Sequence, residues 1–435
     1  MDADAATAPI PVLHTRPRWR DTFSALQIHN YRLYVIAQVI SNTSGWMRRI
    51  AIDWLVFELT GSVLAVGITT ALQFGPTLLF GPLGGVITDR YTKRRLLIFC
   101  QGTWAVLCAI LTVLTLTELV LVWEVYLTAF LLGCIVVIDS PARAVFVNEM
   151  VGSDRLRNAI SINASIFHLG GLIGPAISGV LIALVGAGWA IGVNSVASGL
   201  VIVALLSMRK SELLPSLVVQ RGKGQIREAV RYVRAKPTIF WPLVMAAFVY
   251  TFGMGLPVLL VSFADDVFLS GAAGYGIYSS AAAIGALAGA VTSTRQVSYR
   301  MRTIVPMVAM VGIALILSGL APWAWTFMIG LGAVGFTRLI FAMSAEAVVQ
   351  LSSNRVIRGR VMSLYSMVVV GGQALGGVII GLAVEVWGPR DAMIGAGAVP
   401  VLAAAVIAIL MARSGRLALR MRLTLRSLPF TIVER

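Results

Sequence analysis

Charge is what this chain has least of. Asp, Glu, Lys and Arg make up 12% of its 435 residues, about half of the ~25% usual in soluble domains. No soluble core of this length could hide the 58% that are hydrophobic. The mean hydropathy of +0.87 makes lipid the expected solvent instead. Acids are scarcer than bases, 19 against 35, which leaves a net charge of +16. Cysteine is scarce too: Cys100, Cys108 and Cys134 lie in or beside apolar stretches without metal-ligand spacing, and read as small buried hydrophobes. No glycine-rich loop ends in Gly-Lys-Ser/Thr, which argues against ATP as a direct energy source. No His/Cys cluster suggests a metal, and no Ser/His/Asp set marks an enzyme. No metal, cofactor or catalytic activity is expected. Residues 1–32 hold no apolar segment of the signal-peptide kind, so no cleavable leader is expected either.

What is present is apolar length. Spans fall at roughly 33–57, 62–87, 96–116, 123–146, 159–185, 188–208, 239–264, 272–293, 303–320, 323–349, 361–387 and 391–412. That makes twelve, against the ~20 residues needed to cross the hydrocarbon core. The basic residues occupy alternate gaps, with 30 of the 35 on one side. Arg390 alone falls on the other, and Arg48, Arg49, Arg143 and Arg338 lie within spans. The positive-inside rule then expects both termini in the cytoplasm. The excess charge records topology, and nucleic acid is not an expected partner.

The chain divides into a segment 1–32, a six-span bundle 33–208, a polar linker 209–238, a second six-span bundle 239–412 and a basic tail 413–435. Within the linker, "QIREAVRYVRAK" sets Ile226, Ala229, Val230 and Val233 on one helical stripe, away from Arg227, Arg231 and Arg234. It reads as an amphipathic helix, either on the membrane surface or solvated, ended by Pro237. The bundles echo each other. Gly170, Gly174, Pro175 and Gly179 follow Ser161 in span five; Gly372, Gly376, Gly377 and Gly381 follow Ser363 in span eleven, at an offset of 202. "GGVITDR" has a degenerate counterpart in "GAVTSTR", Gly289 matching Gly85. Duplicated halves around a midplane cavity are a transporter architecture.

"GGVITDRYTKRRLL", residues 84–97, sits in the turn between spans two and three. It resembles the signature of the major facilitator superfamily, with Gly85, Asp89, Arg90, Lys93 and Arg94 in the matching places. Thr92 replaces the usual glycine. "NYRLYVIAQVISNTSGWMRRIAIDWLVFELTGS", "DSPARAVF" and "NASIFHLGGLIGPAISG" resemble the branch of enterobactin and macrolide exporters, although Gly171 stands where many relatives are basic. The resemblance covers the whole chain. It implies an all-α polytopic protein with two pseudo-symmetric six-helix bundles that rock about a central site. It also implies an inner gate of Gly85, Asp89, Arg90, Arg94, Asp139 and Arg143, in which Asp89 and Arg94 bind the fourth and eleventh spans when the inner side is closed; Asp139 and Arg143 are four apart on span four. The Gly170, Gly174, Pro175 and Gly179 set packs helices closely, and by resemblance accompanies export.

Charges inside spans are functional candidates by default. Arg49 and Asp53 are four apart, as either an intrahelical pair or a cavity pair. Arg48 needs to snorkel or find a partner. Arg338 and Glu346 share a face about 12 Å apart, in a helix that lines the cavity in the resembling family. His168, near mid-depth, carries an imidazole, a group type that suits proton coupling, or is a packing histidine. Gln38 and Gln373 complete the cavity candidates. The expectation is a monomeric proton antiporter of the cytoplasmic membrane that exports a lipophilic or amphipathic small molecule. Uptake on the same fold and a non-transporting membrane sensor are the alternatives.

Overall fold

The computed structural model describes residues 24–214, 225–253, 255–293, 301–354, 357–413, 417–421 and 430–434. Apolar runs too long to be soluble form helices because lipid offers no hydrogen bonds, and a helix satisfies its own backbone. The first half comprises α1 (His29–Thr60), α2 (Val63–Arg90), α3 (Lys93–Leu116), α4 (Val122–Val185) and α5 (Ala187–Ser207). A short helix α6 (Gln225–Ala235) leads to the second half: α7 (Pro237–Phe252), α8 (Leu256–Ser262), α9 (Gly271–Ser293), α10 (Met301–Gly319), α11 (Ala324–Ser352), α12 (Arg358–Trp387) and α13 (Pro389–Arg413).

Helix α4 holds two spans, Val122–Gly152 and Asn158–Val185. A kink at Gly152, whose φ is 69°, separates them. The polar gap expected at 147–158 is therefore mostly helix. Conversely, the expected seventh span is broken: α7 ends at Gly253, α8 restarts at Leu256, and a wide turn at Phe263–Val267 closes it. Ten spans are long and apolar enough to cross a membrane on those grounds alone. The other two are α1, diluted by Arg48, Arg49, Asp53 and Glu58, and the shorter α10. Twelve spans in two six-helix halves result. In the tail, Leu417–Met421 pairs antiparallel with Phe430–Glu434, which the sequence did not suggest.

The internal echo is a packing code. Gly170 and Gly174 face α1, where added β-carbons would stand 3.1 Å from Asn42 Cβ and 2.7 Å from Trp46 Cβ. Their counterparts Gly372 and Gly376 face α7, 2.9 Å from Tyr250 Cβ and 2.1 Å from the Thr251 carbonyl. The turns that follow, at Gly186 (φ 88°) and Gly388 (φ 81°), are also related by the same offset. The degenerate copy of the charged turn, beyond Ser293, lies outside the described residues.

Helix α6 docks on the basic ends of α11 and α12 through an ion pair of Glu228 with Arg360. Tyr232 Oη accepts from the Asn354 amide, and Lys236 donates to the Ser352 carbonyl at 2.7 Å. Val233 is buried beneath it, while Arg231 and Arg234 are exposed. The helix ends at Ala235, and Pro237 opens α7 at a position that needs no amide.

Candidate functional site

The side that carries the start of α1, the 91–92 turn and α6 is called the basic side below, and the opposite one the far side. Along α1 the two differ sharply. Residues 50–57, toward the far side, are all buried, whereas Ile36, Val39 and Ile40, toward the basic side, are exposed. The halves are therefore closed together at the far side and parted toward the basic one.

The closure is made of specific contacts. Asp53 of α1 is fully buried, and one carboxylate oxygen accepts a hydrogen bond from Tyr275 of α9, in the other half, at 3.2 Å. Its second oxygen makes no hydrogen bond of normal geometry, although the Gln73 amide lies close to the carboxylate. Trp54 stacks on the same tyrosine, ring centres 6.3 Å apart. Ser62 donates to Glu385, and Ser280 to the Leu172 carbonyl at 2.9 Å, both across the halves. Around these bonds glycines let backbones touch. A β-carbon on Gly67 would meet the Gly377 carbonyl at 2.2 Å, and one on Gly179 the Ala272 carbonyl at 2.8 Å. Helix α8 plugs the centre, all of its residues buried except half-buried Pro257, and it touches α1 and α2 of the opposite half.

Immediately on the basic side of this closure lie the intramembrane cations. The Arg49 guanidinium stands 4.8 Å from the ring centre of Phe74 and 5.7 Å from that of Trp46. It shares an electrostatic field with Asp53, but the expected four-apart ion pair does not close. A helix sets the two side chains on one face; Asp53 is drawn instead toward Tyr275. Arg48 lies over Trp104 at 5.8 Å, its Nε buried without a hydrogen bond. Arg338 of α11 is half-buried and lies in the field of Tyr250 and, across the halves, of Arg49. Glu346 is exposed further along the same helix and makes no bond with it. His168 is half-buried and packs edge-on against Phe167. Gln373 donates only to the Val369 carbonyl of its own helix, at 3.4 Å.

On the basic side Arg143, Asp139, Arg94 and Lys93 find partners within their own half. Arg143 holds Asp139 through two hydrogen bonds, at 2.9 and 3.0 Å, and also donates to Gln38 of α1. Arg94 donates to the carbonyls of Leu205 and Leu206, at 2.7 and 2.9 Å, closing the last turn of α5. That partner was not expected. A cation there satisfies orphan carbonyls and the negative end of the helix dipole. Lys93 lies 3.9 Å from Glu149. Gly85 is buried, Asp89 half-buried and Arg90 exposed. The neighbouring Gly84 lies directly against the Val137 backbone of α4, so the turn does lie beside the fourth span.

Sequence reasoning found Asp53, Arg49 and Arg338 but missed Tyr275, Tyr250 and Glu385. Glu385 was detectable as an acid inside an apolar span. The tyrosines had no such signal, since only the meeting of the halves gives them partners. Among the described residues, no group of three or more His, Cys, Asp or Glu side chains is placed to hold a metal.

Comparison with known proteins agrees with this architecture. The chain is 25% identical over 366 residues to the enterobactin exporter of Shigella flexneri, covering 83% of this chain and 87% of that one. The enterobactin exporter of Salmonella choleraesuis is 25% identical over 371 residues, 84% and 88% of the two chains. Among solved structures, a nucleoside transporter superposes with a TM-score of 0.70 at 14% identity, covering 88% of this chain and 99% of that one. A bacterial homologue of the human lysosomal transporter Spinster, in an inward-facing and unoccupied conformation, gives 0.68 at 17% identity, covering 88% and 97%. The family model described as transmembrane secretion effector matches residues 20–420. With two six-helix halves closed at one end and parted at the other, the chain belongs to the transmembrane secretion effector family of major facilitator transporters.

Proposed function

We propose that this protein exports a lipophilic or amphipathic small molecule from the cytoplasm across a bacterial cytoplasmic membrane in exchange for protons. The basic side is then cytoplasmic, and the conformation described above is the one that loads. Export is supported by the family's description and by the exporters it resembles at 25% identity. The observation that carries proton coupling is Asp53. It is a carboxylate sealed between the halves and bonded to Tyr275 of the opposite half through one oxygen. Rocking that parts the far side breaks this bond and exposes the acid to outside water. When the far side closes again the acid is withdrawn from that water, and the exchange is completed when its proton leaves toward the basic side, where Arg49 lies one helical turn away. His168 has no polar partner among the described residues and is a weaker carrier. When the basic side closes, Asp89, Arg90 and Arg94 approach α12, with the Asp139–Arg143 pair behind them as the inner gate.

Everted vesicles test direction and coupling together. Acidifying the lumen should drive dye or drug into them, and a protonophore should abolish the accumulation. Asp53→Asn should lose the gradient-driven component and keep exchange of substrate down its own gradient. Asp89→Asn should slow both. Loading only when the vesicle lumen is alkaline identifies uptake. Full flux in Asp53→Asn removes Asp53 from the mechanism.

A further inference from the structure

We infer that Glu385 is the proton-responsive residue of the far-side closure: its ionised carboxylate caps the start of α2 from the opposite half, and a proton taken up from outside releases it. The inference rests on the export reading above, which makes the far side the outer one, and adds a second acid to the cycle beside Asp53. Helix α2 starts where the halves meet, and the amides of its first turn have no carbonyl of their own helix to serve them. Ser62 is the N-cap and accepts from the Ala65 amide at 3.2 Å. Its hydroxyl donates to Glu385 of α12, and the same carboxylate oxygen accepts from the Leu64 amide at 3.4 Å. The first turn of α2 has no acid of its own; Ala65 stands where a capping box would place a glutamate. The other half supplies the carboxylate instead.

The packing of α12 places that carboxylate. Gly377, Gly381 and Glu385 stand four apart and so form one stripe of the helix. A β-carbon on Gly377 would lie 2.8 Å from the Gly67 carbonyl, and one on Gly381 2.9 Å from Leu64 Cα. Two backbone contacts with α2 therefore fix where the third residue of the stripe arrives. At that point the stripe leaves the protein: Glu385, Val386 and Trp387 are exposed. The two acids of the closure differ in this respect. Outside water reaches Glu385 while the halves are shut, but Asp53 only after they part. Acid outside would thus open the closure first and load Asp53 second.

Protonation removes the attraction between the carboxylate and the positive end of α2, and it weakens both bonds the oxygen accepts. No neighbouring charge takes over. Helices α7, α8 and α9 carry no charged residue. Glu58, near the end of α1, accepts from the Trp54 indole at 2.6 Å. Asp265 and Asp266 lie in the turn before α9, and Asp391 in the first turn of α13. Arg390 donates to the carbonyls of Gly319 and Ala321, at 3.1 and 2.8 Å. Among the described residues Glu385 forms no ion pair. The ionised form binds the closed state better, so falling pH shifts the halves toward parting and rising pH restores the closure.

Spin labels on cysteines placed at Leu119 and Leu320 test the proposal, one in a far-side turn of each half, with the three native cysteines replaced by alanine. Double electron–electron resonance on the full chain in lipid nanodiscs reads the parted and closed populations between pH 8.0 and 4.5. In wild type the parted-to-closed ratio should rise at least ~5-fold as pH falls, the scale of losing a charged cap and its bonds. Glu385→Gln should already show the raised ratio at pH 8.0 and change little with pH. Glu385→Asp should restore part of the response, and Asp266→Asn, on the same side, should behave as wild type. Glu385→Ala replaces the glutamine variant if that one does not fold. A ratio independent of pH in wild type, or a wild-type response in Glu385→Gln, overturns the inference. So does a response lost in Asp53→Asn and kept in Glu385→Gln. Populations are read without flux. Acid-driven parting in a protein that moves nothing breaks the export reading alone; proton-driven export with populations indifferent to pH breaks this proposal alone.

Discussion

The two ends of this molecule spend their polar groups differently. On the far side the bonds cross between the halves: Tyr275 to Asp53, Ser62 to Glu385, Ser280 to the Leu172 carbonyl. On the basic side Arg143, Asp139 and Gln38 bind one another, and Arg94 closes α5, all within one half. Bonds inside a half stiffen a body that moves as a unit. Bonds between halves define one position of that body and must be unmade for the other. The far side accordingly uses a few modest hydrogen bonds and close glycine contacts, which separate without leaving a set of buried ions behind.

The largest expected effect comes from forcing those glycines apart. A β-carbon on Gly67 would stand 2.2 Å from the Gly377 carbonyl, a backbone atom that no rotamer change can move aside. Gly67→Val should hold the far side open and abolish flux. In a chain whose three cysteines are replaced by alanine, a cysteine at Leu64 should react at least ~10-fold faster with an impermeant maleimide, if the closed state is displaced as a population. Unchanged labelling in a folded Gly67→Val protein would mean that the glycine contact does not hold the closure.

Next in size is Tyr275→Phe. It removes a hydrogen bond to a carboxylate, a contribution of about 1.5–3 kcal/mol, and keeps the ring that stacks on Trp54. The same labelling should rise, by less than in Gly67→Val. Asp53→Asn keeps an acceptor for Tyr275, so it should leave the labelling near wild type while removing proton-driven transport. If both variants opened the far side equally, Asp53 would be a latch residue and no proton carrier.

The same comparison separates what the chain disclosed in one dimension from what needed three. Spans, halves and the glycine echo were legible because periodicity and composition are local. Gly170 and Gly174 against α1, and Gly372 and Gly376 against α7, turn that echo into contacts. The arginines inside spans were legible because charge in lipid is rare. Their partners were not. Asp53 prefers a tyrosine 222 residues away to an arginine one turn away, and no spacing rule encodes that choice. The break in span seven was missed for a related reason: Gly253 and Gly255 look like any glycines in an apolar run until α8 is seen packed between the halves, buried but for Pro257. Arg94 was assigned a gate role for the state in which the basic side is closed; with that side parted it closes α5, a partner no spacing rule suggested.

That last contact gives a smaller prediction. Arg94→Ala leaves the final carbonyls of α5 without a cation, a loss of about 0.3–2 kcal/mol. Melting temperature should fall by a few degrees, with Leu64 labelling unchanged. A change in labelling would mean that Arg94 acts between the halves in this conformation as well.

The smallest effect should come from the Glu228–Arg360 pair, which ties α6 to the start of α12. Glu228 is largely exposed, its side chain 61% accessible, and exposed pairs contribute only about 0–1 kcal/mol because water and salt screen them. Tyr232 and Lys236 hold the same helix to the 352–354 segment by independent bonds. Glu228→Gln should therefore leave melting temperature, labelling at Leu64 and flux close to wild type. The result matters because α6, which packs on α7 and α12 of the second half, is the helix through which the chain arrives from the first. A marked rise in far-side labelling in Glu228→Gln would mean that the linker biases how the halves sit, so that a bond at the basic end helps set the far-side closure. Wild-type behaviour would leave that closure to α1, α2, α4, α8, α9 and α12, the elements that touch across it.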